Sequence, residues 1–155
     1  MLKSRSIVAF VATTNPARAK TFYAKTLGLR LVSEDGFALV FDAGGTMLRV
    51  ATVPVLQPAA YTVLGWIVPD IERAVRDLQT KGVSFSRFEG MGQDDLGIWT
   101  APSGARVSWF ADPDGNTLSL TEIKPPAARR KPARTPARKV VRKATAKAAR
   151  APRKR

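Results

Sequence analysis

Apolar positions along residues 7–123 alternate between two spacings. Ile71, Ala74, Val75 and Leu78 recur at i, i+3, i+4 and i+7, which lays one apolar stripe along a helix. Asp70 stands before the stripe as a cap, and Gly82 follows it as a stop. A weaker stripe, Ala19, Phe22, Tyr23 and Leu27, follows Asn15-Pro16, a capping residue with proline in the first turn. After each helix, in "LRLVSEDGFALVFDAGGTMLRVATV" and in "VSFSRFEG" through "GIWTAPSGARVSWFADPDGNTLSLTE", the period falls to two. Glu34-Asp35-Gly36, Ala43-Gly44-Gly45 and Asp112-Pro113-Asp114-Gly115-Asn116 break these runs into strands joined by tight turns.

The pattern occurs twice. Residues 7–34 and 62–88 both read strand, capped helix, glycine, strand; Asn15 and Asp70 are 55 positions apart and Gly28 and Gly82 are 54 apart. Each half is a β-α-β-β-β unit, and in the second half "VSFSRF" is expected to be the first strand after the helix.

Charge divides the chain differently. The formal net charge is +14, but residues 125–155 hold 13 of the 26 Lys and Arg and none of the 12 Asp and Glu. Residues 1–124 are therefore almost neutral. The basic segment is Ala, Pro, Lys, Arg and Thr with one bulky apolar pair, Val140-Val141, too little to offset the entropy of ordering it. It is expected to be a disordered polybasic tail. Arg129, Arg130, Lys131, Arg134, Arg138, Lys139, Arg142, Lys143, Lys147, Arg150, Arg153, Lys154 and Arg155 are its candidate nucleic-acid contacts, acting by counterion release. The tail has no aromatic residue for base stacking, so the expected binding is nonspecific. Its composition resembles the Lys/Ala/Pro-rich tails of linker histones and histone-like bacterial proteins.

There is no cysteine and no histidine, which removes disulfides, thiol chemistry and the commonest general base and metal ligand. The run Ile7–Ala12 is too short to cross a membrane, so a protein of the cytoplasm or its nucleoid, without membrane insertion, is expected.

Two βαβββ units, with "ARAKTFYAKTLGL", "VPDIERAVRDLQTKGV" and above all "WFADPDGNTLSL", resemble the vicinal oxygen chelate superfamily of glyoxalase I, extradiol dioxygenases and bleomycin-resistance proteins. The resemblance implies an α+β fold over residues 1–124, with modules at about 5–55 and 60–123 forming a curved, cup-shaped mixed sheet. It also implies a homodimer. Metal-dependent members place four His or Glu ligands in the cup, from the first and last strands of each module. Carried onto this chain, those positions are Val8, Arg49, Val63 and Ser119, none a donor for a divalent ion. No metal and no cofactor is expected.

Arg49 is the most informative position. It is either a rim arginine extending into water or a cup arginine for a carboxylate or phosphate, with Asp42 and Glu122 as candidate internal partners. Met47 and Thr117 share the expected cup faces with Arg49 and Ser119. Among the aromatics Trp66, Trp99, Trp109, Phe10 and Phe41, Trp99 in "GIWT" is the best pocket candidate and the others read mainly as packing. Asp94-Asp95 read as a solvated loop, Tyr23 as packing, and no nucleophile–base pair or phosphate-binding glycine loop is present. Three functions stay open: a metal-independent binder of an anionic or aromatic small molecule, a metal-free enzyme using Arg49 with Ser119 or a tyrosine, and a nucleic-acid-associated protein whose globule only dimerises.

Overall fold

The computed structural model describes residues 2–123, so the expectations for the basic tail lie outside the described residues. Strands β1 (Val8–Thr13), β2 (Arg30–Glu34), β3 (Ala38–Ala43) and β4 (Thr46–Thr52) form one sheet in the order β1-β4-β3-β2, with β1 parallel to β4. Strands β5 (Leu64–Ile67), β6 (Trp99–Thr100), β7 (Arg106–Ala111) and β8 (Thr117–Glu122) repeat it as β5-β8-β7-β6, with β5 parallel to β8. The eight strands thus make two four-stranded mixed sheets, one from each βαβββ unit, consistent with the module plan that the resemblance implied.

The helices form where the stripes lie. Helix α1 (Pro16–Thr21) is capped by the Asn15 side chain accepting from the Arg18 N–H, then widens into a π-helical turn at Phe22–Thr26. Helix α2 (Ile71–Thr80) is capped in the same way by Asp70, accepting from the Arg73 N–H. Both runs end at glycines with positive φ, 74° at Gly28 and 84° at Gly82, a conformation that lets the chain leave the helix without a Cβ clash.

One expected strand is absent. Residues 83–88 make only an isolated bridge, Phe85 to Phe110, and the first strand after α2 is β6. The segment bonds to its own loop instead: Arg87 donates to the carbonyls of Asp94 and Asp95, and Gln93 donates to those of Ser86 and Gly97. Its backbone reaches the sheet at Ser86, whose N–H donates to the Trp109 carbonyl of β7 at 2.7 Å.

Both modules share one core, in which Tyr23, Phe41, Leu48, Val50, Ile71, Val75, Phe110 and Leu118 are fully buried. A polar seam joins the modules beside it. Tyr23 Oη donates to Asp112 Oδ2 at 2.8 Å, Asn116 Nδ2 donates to the Ala12 carbonyl at 2.8 Å, and Thr13 Oγ1 donates to Asp114 Oδ2 at 2.6 Å. The Asp112–Asn116 turn is therefore a tenon between the halves as well as a hairpin. No described helix is long and apolar enough to cross a membrane.

Candidate functional site

In the first sheet, Ala9, Val11, Leu39, Phe41, Leu48 and Val50 point to the core, so alternation sends Val8, Phe10, Val40, Met47 and Arg49 to the other face. That face is apolar and open: Phe10 is 61%, Val32 53%, Met47 45% and Val8 43% exposed. Arg49 is half-buried there, beside Phe10 on β1 and Val40 on β3. Val8 shares the face but pairs with Met47, two residues along.

Neither expected partner reaches Arg49. Asp42 is taken by Arg30 at 2.8 Å and by the Gly45 N–H, and Glu122 accepts from the Ile71 N–H at the start of α2. Asp42 answers donors of its own hairpin region and Glu122 a backbone N–H 51 residues away, pairings that chain order does not show. The carboxylate that feels Arg49 is Asp35: the N–H groups of Phe37 and Ala38 hold its carboxyl below the usual range, and Arg49 adds a smaller pull. Arg49 makes no hydrogen bond or ion pair among the described residues. A cleft of about 260 Å³ opens nearby between Arg30, Val32, Asp42 and Met47.

In the second sheet, Leu118, Leu120, Ser108 and Phe110 face the core, leaving Thr117, Ser119, Val107, Trp109 and Trp99 on the opposite face. Ser119 is 6% exposed, and its hydroxyl has no hydrogen-bond partner among the described residues. Its neighbour on β5 is Gly65, and Val63 precedes that strand. Glycine is required at 65 by close approach: a Cβ would lie 2.5 Å from Ser119 Oγ. On the other side stands Trp109, whose Nε1 donates to Thr62 Oγ1 at 3.0 Å. Since β8 lies between β7 and β5, an indole rooted on β7 that reaches Thr62 crosses over β8, which explains how Ser119 comes to be covered.

Sequence reasoning missed this aromatic arrangement. Trp109 lies 6.2 Å from Trp99 and 5.6 Å from Phe88, the latter edge-on at 85°, between ring centroids. The "SWF" alternation, which sends Trp109 to the side away from Ser108 and Phe110, carried the signal.

The two faces contribute to separate clefts within one chain. The donor set does not fit the metal of the resembled family. Val8, Phe10 and Arg49 on one sheet and Val63, Gly65 and Ser119 on the other offer two alkyl groups, a ring, a cation, a neutral hydroxyl and a glycine without a side chain. No cluster of three or more His, Cys, Asp or Glu side chains able to hold an ion occurs among the described residues. The Tyr23 hydroxyl keeps its proton, because burial and the Asp112 carboxylate it donates to push its pKa far up.

No curated protein matches the chain. Solved structures do. The glyoxalase family protein of Enterococcus faecalis superposes with a TM-score of 0.62 at 21% identity, covering 79% of this chain and 100% of that one. A member of the glyoxalase/bleomycin resistance protein/dioxygenase superfamily from Sphaerobacter thermophilus gives 0.59 at 25% identity, over 76% and 98%. Lactoylglutathione lyase from Agrobacterium tumefaciens gives 0.59 at 16%, over 76% and 93%. These likenesses carry the fold. The family model of the Glyoxalase/Bleomycin resistance protein/Dioxygenase superfamily matches residues 6–120, most of the described chain, and the chain belongs to that superfamily.

Proposed function

We propose that this protein binds a small anionic molecule without a metal, using Arg49 as the anchor. The supporting observation is a half-buried guanidinium on an apolar sheet face with no carboxylate bonded to it among the described residues. Partial desolvation strengthens its attraction for an anion, and its planar fork suits a carboxylate or phosphate. Ser119 lacks any base beside it, which favours binding over nucleophilic catalysis.

The same proposal includes a homodimer. Phe10, Val32, Met47 and Val8 on one sheet and Ile67, 74% exposed, on the other are apolar side chains left open by a single chain. A two-fold axis would lay the Arg49 face of one copy on the Ser119 face of its partner, twice over, and cover both. The basic tail would add nonspecific nucleic-acid affinity, doubled in the pair.

The test is a thermal-shift titration of the full chain with benzoate and 1-naphthoate against the corresponding alcohols. The carboxylates should raise the melting temperature of the wild type and not of Arg49→Ala. Equal responses from the two proteins would refute the anchor.

A further inference from the structure

The second sheet carries a cleft that the Arg49 reading does not use. It has a volume of about 500 Å³ and is walled by Phe88, Met91, Trp109 and Tyr61, with Thr62 and Thr117 at its polar edge. No lining side chain is charged. From this geometry we infer a second subsite, one that takes an uncharged planar aromatic or heteroaromatic ring against Trp109, edged by Phe88 and Met91. It deepens the small-molecule reading above by naming a ring-bearing ligand, yet it stands on a different sheet from Arg49.

Three observations carry it. The walls are prebuilt. Residues 84–98 are held by the Arg87 bonds to the Asp94 and Asp95 carbonyls, and by Gln93 Oε1 accepting from the Phe88 N–H at 2.7 Å. Phe88 is thereby fixed at its backbone, and its ring stands at 85° to the Trp109 indole, so the two rings form one corner of the cleft. The indole is fixed too: its single N–H donor is spent on Thr62 Oγ1, so its orientation is set before any ligand arrives. A ring entering such a site loses little to reorganisation of the protein.

The third observation is chemical. Thr62 and Thr117 line one edge of the cleft, and Thr117 shares the Trp109 face of the sheet. Their hydroxyls offer donors and acceptors at one edge of an otherwise apolar slot. That edge suits a ring nitrogen, phenol or carbonyl and gives no counter-charge to a cation or anion.

The experiment uses the full chain and N-phenyl-1-naphthylamine, an uncharged fluorescent probe that the polybasic tail does not attract. Saturable binding is expected, with energy transfer from tryptophan and a shift of the Trp109 indole N–H resonance while that of Trp66 stays in place. Phe88→Ala and Met91→Ala should each weaken binding, Phe88→Ala by about tenfold. Each variant's melting temperature confirms that it is folded. The probe carries no carboxylate, so its binding succeeds or fails independently of the benzoate thermal shift that tests the anion anchor. Absence of saturable binding, indifference to both loop substitutions, or an unmoved Trp109 signal would each overturn the inference.

Discussion

Tyr23 and Asp112, 89 residues apart and in different modules, form a buried hydrogen bond of 2.8 Å, phenol to carboxylate. The same Oδ2 accepts from Asn116 Nδ2, and Oδ1 accepts from the N–H groups of Asp114 and Asn116. One side chain of the turn thus ties its own loop together and fastens it to the opposite helix.

Tyr23→Phe removes the bond and keeps the ring packing on Phe41. The expected cost is about 1–2 kcal/mol, since a charged acceptor loses one of four donors. By calorimetry that is a fall in melting temperature of about 4–8 °C. An unchanged melting temperature would mean that the seam is decorative.

Asp114 gives the seam a pH dependence. Burial alone would raise its carboxyl, but the bonds from Thr13 and Thr14 and the charge of Arg18 outweigh that and hold it below the ordinary value. A depressed folded pKa adds stability above the unfolded value, at about pH 4, and this is lost as the pH falls through the folded value. Melting curves between pH 7 and about pH 2.5 should therefore show Asp114→Asn less stable at neutrality and less sensitive to acid than the wild type. Parallel curves would count against this account.

Gly65→Ala should destabilise by about 1 kcal/mol, because the new methyl meets Ser119 Oγ and forces that side chain to turn beneath Trp109. In Gly65→Ala/Ser119→Ala most of the penalty should vanish. A double-mutant cycle reads the coupling directly, and additive effects would place the strain elsewhere.

Deleting residues 125–155 should abolish salt-sensitive DNA binding and leave the melting temperature of the remainder nearly unchanged. If about half of the 13 basic groups neutralise phosphates, log K should fall against log salt with a slope of about −5. Retained binding would locate a basic surface on the folded part.

Met47→Asp should shift the sedimentation coefficient toward the single chain at micromolar concentration, because it places a charge on the face assigned to the second copy. A wild type that sediments as a monomer would dispose of the pairing.

Much of the fold was legible because local signals agreed. The stripes Ile71, Ala74, Val75, Leu78 and Ala19, Tyr23, with Asn15 and Asp70 as caps, marked both helices, and the alternation through Leu48–Val50 and Leu118–Leu120 fixed which sides of two strands are buried. Residues 83–88 failed for the complementary reason: their alternation looks strand-like, but Arg87 and Gln93 supply side-chain bonds that replace a ladder, and such substitutions leave no periodic trace. The site was legible only in outline. Facing could be read for Arg49 and Ser119, whereas Asp42 and Glu122 were mistaken as partners and the crossing of Trp109 to Thr62 depends on strand order that period two does not encode.

The shared core and its seam also bear on how the repeat can be taken apart. Although each half carries a complete strand–helix–strand plan, Tyr23 would lose Asp112 and the Ala12 carbonyl would lose Asn116 if the chain were severed in the connection between Thr52 and Leu64. The two fragments should be poorly folded alone and reconstitute on mixing, the behaviour of a duplication whose copies have become mutually obligate.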